Sequence, residues 1–311
     1  MDSRGTATGS GSAIASGAVS ARSVHRTAPD YATRAVLLPA TLLALVILVA
    51  LLAPFIAPHD PIAGQLSARL RPPFWHPGGS LDYPLGTDAL GRDVLSRLLY
   101  GARISLPIAL SATLLGAVVG AGLGLIAGYL GGRADRIVTI LADIQLSFPF
   151  ILFAIAVIAV VGPNLAVLVL VLAIGCWVGQ ARIVRGVVLS LREREFIQAA
   201  RSLGASTVRI LTRHLLPNTL GVIIVVATFD LGRIIVLEAT LSFLGLGVQP
   251  PMPSWGSDLK DAAVNMRIAW WTATFPGLAI LLVVLGVNLL GDALRDFMDP
   301  RTRQARRGRG L

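Results

Sequence analysis

Residues 192–217 read R-E-R-E-F-I-Q-A-A-R-S-L-G-A-S-T-V-R-I-L-T-R-H-L-L-P and lie between two long apolar runs. Phe196, Ala199, Ala200 and Leu203 recur at three- and four-residue spacing, and Thr207, Ile210 and Leu211 continue the same side. That pattern predicts a helix with one apolar stripe. Gly204 interrupts it. A glycine inside a helix costs about 1 kcal/mol against alanine, so this one is expected to mark a turn between two short helices. Pro217 is expected to end the second. A polar, arginine-bearing helix-turn-helix set between membrane spans has to project from the bilayer. The small residues Ala199, Ala200 and Gly204 leave its bend open to close approach by another protein.

The flanking runs decide the class. Of the 311 residues, 54% are hydrophobic and only 14% charged, with a mean hydropathy of +0.73, too apolar for a soluble protein of this size. Uncharged runs cover residues 35–58, 104–132, 144–181, 215–229 and 268–291. A span needs roughly 20 apolar residues. The run 144–181 is long enough for two helices, and Gly162-Pro163-Asn164 breaks it near the middle. Six transmembrane helices result, and the expected fold is an all-α polytopic membrane protein. Residues 1–34, rich in Gly, Ser, Ala and Thr, cannot bury enough surface to order themselves and are expected to form a flexible tail. The late start and length of the first run argue for a retained span at 35–58 and against a cleaved signal peptide.

The net charge of +10 comes from basic residues clustered at the ends of apolar runs, which is a topology signal and speaks against nucleic-acid binding. With the N-terminus cytoplasmic, the inner segments hold 19 Lys and Arg and the outer ones 7. Both termini and the 182–217 loop are therefore expected inside, and the segment 59–103 outside. The basic tail 293–311 can then touch anionic lipid. The only lysine, Lys260, is preceded by leucine, so the Gly-Lys-Ser/Thr of a phosphate-binding loop is absent. No cofactor is expected in this chain, and any ATPase has to be a partner. The single cysteine, Cys176, is expected to be a small core residue.

Several positions within this frame carry sharper expectations. The external segment 59–103 is expected to close with an amphipathic helix capped by Thr87 or Asp88, with Asp93 and Arg97 paired on its wet side. Gly116, Gly120, Gly124 and Gly128 stack on one face of the second span, where another helix can approach backbone to backbone. Asp143, Ser147 and Pro149 suggest a third span that begins near Asp143 and is kinked. In the fifth span Asp230 and Arg233 stand about 18 Å of helical rise beyond Asn218. Ionisable residues at that depth face a bundle interior or water. They either neutralise each other or, with Glu238, line a translocation path. Residues 242–248 are too rich in glycine to continue a helix, and Trp255, Trp270 and Trp271 suit an outer aromatic belt.

Ala199-Ala200, Gly204 and Leu216-Pro217 together resemble the EAA loop of ABC-importer permeases. G-T-D-A-L-G-R-D-V-L-S-R-L-L-Y-G-A-R-I-S-L (residues 86–106), E-A-T-L-S-F-L-G-L-G-V-Q-P-P (238–251) and N-L-L-G-D-A-L-R-D-F-M-D-P-R (288–301) narrow the resemblance. They are similar to the C-type permease subunit of dipeptide and oligopeptide importers. Gln198 stands where the loop's eponymous glutamate would be, and His214 where isoleucine is usual. The resemblance implies a type I importer permease with a five-helix core at 104–292, no chemistry of its own, and peptides, or in some branches nickel chelates or glutathione, as cargo. It also implies a homologous second permease subunit, two cytoplasmic ATPase subunits or domains that bind ATP, and an external solute-binding protein. Gln198, Ala199, Ala200, Gly204, His214 and Pro217 would then form the surface that meets the ATPase. Two other classes fit less well. A self-contained ion-coupled transporter predicts inverted repeats that the sequence does not show, and an intramembrane enzyme predicts metal-ligand spacing or a nucleophile set within the spans.

Overall fold

The computed structural model describes residues 28–298. Most of the tail expected over 1–34, and the basic tail beyond residue 298, lie outside the described residues. α1 (Ala28–Ile56) is followed by a largely irregular segment and then by α2 (Val94–Leu130), α3 (Gly132–Leu146), α4 (Phe150–Val161) and α5 (Leu165–Leu191). Next come α6 (Glu195–Ser202), α7 (Thr207–Arg209), a π-helical turn (Ile210–Leu215), α8 (Leu216–Phe243), α9 (Trp255–Ala263) and α10 (Trp271–Met298). Five helical stretches are long and apolar enough to cross a bilayer, and α3 with α4, bent by 86° at their break, makes a sixth. The protein is all-α and polytopic.

The centre of the bundle is the seam between α2 and α5. Gly116, Gly120, Gly124 and Gly128 put four gaps in register along α2, and α5 fills each one with its own backbone and short side chains. A Cβ on Gly116 would fall 2.6 Å from that of Cys176, and one on Gly120 would fall 2.5 Å from the Trp177 carbonyl oxygen. Ala181 and Val184 close on Gly124, and Val188 on Gly128. Lipid tails are as apolar as leucine, so this close van der Waals approach, with no hydrophobic drive behind it, is what holds two such helices together. Cys176 is buried in that seam.

The third span departs from a simple kink. α3 starts at Gly132, well before Asp143, and the chain turns sharply at residues 147–149 before α4 starts. Pro149 cannot donate a hydrogen bond, and Ser147 turns its hydroxyl back to the Asp143 carbonyl at 2.7 Å, so the α3 end is satisfied locally and the helix has no reason to continue.

The external segment also differs from expectation. No separate amphipathic helix is present among the described residues: α2 runs unbroken for 37 residues, about 55 Å at 1.5 Å per residue, so it stands well clear of a core about 30 Å thick. Its cap is Asp93, which accepts from the Ser96 amide at 2.8 Å; Thr87 and Asp88 do not cap it. Asp93 and Arg97 do not pair on a wet face. Both are buried, and Arg97 reaches across to Asp258 of α9 and to the Pro61 carbonyl, 3.1 Å away. Arg92 ties Asp88 to Asp261 in the same way. α9 itself was not expected from sequence; its signal is the Ser254 and Ser257 capping box. Burial pushes the Asp258 carboxyl up to about 6, against the opposing pull of the Arg97 guanidinium.

Trp255 and Trp271 are corrections as well. Both are buried in this external knot, donating to the carbonyls of Leu98 and Thr87 at 3.1 Å, and only Trp270 of the three is exposed.

Candidate functional site: a surface projection and a polar patch in the spans

Residues 192–217 fold as a bent projection. α6 ends at Ser202, Gly204 takes the left-handed backbone (φ +75) that glycine adopts without a Cβ penalty, and Ser206 caps the following turn. Ile197, Ile210 and Leu215 are fully buried against Ala121, Leu125, Val184 and Val188, which fixes the projection on the C-terminal halves of α2 and α5. The side predicted as one apolar stripe divides. Ile210 goes into the core, whereas Leu203, 88% exposed, Phe196 and Val208 face outward, uncovered among the described residues. Gln198 and Ala199 are exposed beside them, Ala200 is half-buried, and no atom lies within 4 Å of where a Cβ on Gly204 would sit.

Pro217 does not end the second helix. Its missing N–H forfeits one bond to the Arg213 carbonyl. The π-helical turn just before it, where the Leu216 amide reaches back to Leu211, carries the chain straight into α8. Asn218 donates to the His214 carbonyl at 2.6 Å and satisfies the next position. The projection and the fifth span are therefore one continuous helical stretch from Thr207 to Phe243.

Asp230 and Arg233 do meet on α8, 3.1 Å apart, with side chains 15% and 52% exposed. Arg233 also donates to the Gly175 carbonyl of α5 at 2.8 Å. Glu238 is not brought to them. It is fully buried and accepts from the Ser242 hydroxyl at 2.7 Å one turn further along α8, so it faces no open surface.

Sequence reading missed Gln145 and Trp177. Gln145 of α3 donates to the Ile174 carbonyl and accepts from the Trp177 indole, both at 2.6 Å, next to the Gly175 carbonyl that holds Arg233. Asp143 with Arg182, and Asp135 with Arg185, continue the same α3–α5 seam toward the projection. A polar glutamine in an apolar run was the available signal. A broad concavity of about 740 Å³ opens along α8 between Asn218 and Phe229, with Ile183, Arg295 and Met298 on its walls. Among the described residues no cluster of His, Cys, Asp and Glu could hold a metal ion.

A glycine-zippered helix bundle with a bent projection continuous with one of its spans defines a polytopic membrane protein. The model of the family described as binding-protein-dependent transport system inner membrane component matches residues 120–304. The chain is 43% identical to the di/tripeptide transport system permease protein of Pseudomonas aeruginosa over 84% of its own length and 86% of that protein. It is 41% identical to the dipeptide transport system permease protein of Haemophilus influenzae, over 84% and 88%. With the glutathione transport system permease protein of Pectobacterium atrosepticum the identity is 48%, over 72% and 74%. The chain belongs to the family of binding-protein-dependent transport system inner membrane components.

Proposed function

We propose that this chain is the permease subunit of an ATP-driven importer for short peptides. It contributes half of the translocation path, and a homologous second permease subunit contributes the other half. The observation that carries the coupling role is the projection at 192–217: a knob anchored by Ile197, Ile210 and Leu215, with an exposed apolar face at Phe196, Leu203 and Val208, whose part after the Gly204 bend runs from Thr207 into α8 without a break. Two cytoplasmic ATPase subunits or domains bind ATP and close on that knob. Gln198, Ala199, Ala200, Gly204 and the following helix through His214 and Pro217 form the contact. An external solute-binding protein delivers cargo to the opposite face, built by residues 59–93 and α9. N- and C-termini cytoplasmic is the orientation that places the projection beside an ATPase, and it agrees with the arginine bias.

In this reading Asp230 and Arg233 line the path, since a half-exposed guanidinium deep in a span fits a wet passage better than lipid. Glu238 is structural. Peptide cargo follows the di/tripeptide and dipeptide relatives; the glutathione relative marks a second reading, itself a tripeptide-sized cargo. The test is uptake of labelled di- and tripeptides, and of glutathione, into vesicles holding the complete complex. Peptide uptake that needs ATP and the binding protein is the expected result; glutathione uptake alone would select the second reading, and uptake without ATP would refute both.

A further inference from the structure

The α5 turn at residues 174–177 is where three elements of the bundle converge. Gln145, the penultimate residue of α3, places its carboxamide between the Ile174 carbonyl, to which Nε2 donates, and the Trp177 indole, whose Nε1–H its Oε1 accepts. The next carbonyl, that of Gly175, accepts from Arg233 of α8. The Phe150 ring at the start of α4 occupies the space a Cβ on Gly175 would need, at 2.8 Å. Gln145 and Trp177 are half-buried, and the Arg233 side chain is half exposed, so the patch is open on one side.

A primary carboxamide bridging one carbonyl and one N–H has the hydrogen-bonding pattern of a peptide main chain. In an extended peptide the N–H and C=O of a single residue point the same way, and an opposite strand exchanges both with it. Remove the Gln145 carboxamide, and the turn is left with a carbonyl acceptor and an indole donor that match that residue. Arg233 stands one carbonyl further along. It is held to Asp230 and Gly175 through Nη2 and also lies against the Cys176 thiol, and the exposed half of its guanidinium is the part left to take a carboxylate.

We propose that the α5 turn at Ile174 and Trp177, with Arg233 beside it, is a binding site for the main chain and terminal carboxylate of a short peptide, and that Gln145 is a built-in stand-in that the cargo displaces. The site rests on the reading of Asp230 and Arg233 as path residues and extends it to the break in the third span. Recognition through main-chain groups leaves the cargo's side chains unread. Displacing Gln145 frees the end of α3 from α5 at the point where the third span bends.

Gln145→Leu and Trp177→Phe separate this site from a fixed staple, because both break the same hydrogen bond. Each is assembled in the complete complex, and uptake is measured with saturating dipeptide-loaded binding protein. A site predicts that Trp177→Phe, which removes the donor the cargo uses, lowers uptake roughly tenfold. Gln145→Leu, which removes only the stand-in, keeps uptake at or above wild type. Equal losses, no loss in either, or a larger loss in Gln145→Leu would each overturn the proposal. If Trp177→Phe assembles poorly, a short reducible thiol cross-linker between Gln145→Cys and Ile174→Cys, in a Cys176→Ser background, replaces it. Bridging should abolish uptake and reduction restore it, and uptake that survives bridging would overturn the site. A wild-type complex that imports no peptide would count against the proposed function, whatever these variants do.

Discussion

Two glycines of α2, two residues apart, should respond oppositely to the same methyl group. A Cβ on Gly120 would lie 2.5 Å from the Trp177 carbonyl oxygen, 2.8 Å from Gln180 Cβ and 3.0 Å from Trp177 Cα, while one on Gly122 would meet nothing within 4 Å. Two of the three atoms at Gly120 are backbone, so relief requires α2 and α5 to separate along their whole seam. Overpacking of this kind costs about 1–3 kcal/mol. The gain in helix propensity on replacing glycine by alanine, about 1 kcal/mol, applies equally to both positions and cancels in the comparison. Gly120→Ala should therefore be about 1–3 kcal/mol less stable than Gly122→Ala, a factor of roughly 5 to 150 in the folded-to-unfolded ratio. Titration of the purified proteins with a denaturing detergent, read by tryptophan fluorescence, measures the difference. Equal midpoints and slopes for the two variants would show that the α2–α5 seam is looser than the glycine register implies.

Other perturbations separate the remaining claims. Arg233→Leu strands a mostly buried Asp230 and should cost about 3 kcal/mol of assembly, whereas Asp230→Leu leaves a half-exposed guanidinium still bonded to the Gly175 carbonyl and should cost about 1 kcal/mol. The double leucine variant should regain complex yield yet fail in uptake; full uptake would remove both residues from the path. Asp258 is held up at about 6 by burial, above its ordinary 3.8, so the stability it contributes is complete below pH 4 and is lost as pH rises through 6. Asp258→Asn should flatten the stability profile between pH 4 and 6, and an unchanged slope there would contradict the buried placement of that carboxyl. In a Cys176→Ser background, cysteines at Ser80 or Met266 should react with an impermeant maleimide on intact cells and one at Ser206 should not; the reverse pattern would invert the orientation.

The spans were legible because twenty uncharged residues in a row have one physical solution, and the glycine register of α2 was legible because period-four spacing fixes a face. Gly204 could be read as a turn, since nothing else in the 192–217 segment favours a positive φ. Pro217 misled because a proline ends a helix only where the backbone cannot shift register ahead of it, and the π-helical turn, in which the Leu216 amide reaches back to Leu211, makes that shift. Asp93 and Arg97 misled for a related reason: their i,i+4 spacing suggests a local pair, but Asp258, 161 residues from Arg97 in sequence, offers a buried partner that spacing cannot reveal. Trp255 and Trp271 went into the external knot because their indole N–H groups find carbonyls there. Gln145 and Trp177 were invisible as a pair until the third span was seen to bend back on α5.

ATP hydrolysis by the reconstituted complex in response to cargo-loaded binding protein measures most directly whether the projection at 192–217 is the ATPase contact. Leu203 is 88% exposed among the described residues, so Leu203→Asp should leave insertion, yield and detergent stability unchanged. Gly204→Trp adds bulk at the bend where the partner has to approach and also forces a side chain onto a left-handed backbone, a strain of about 1–2 kcal/mol that Leu203→Asp does not share. Both variants should lose the stimulated hydrolysis while the ATPase subunits keep their own basal rate. Wild-type stimulation in both would contradict the coupling role.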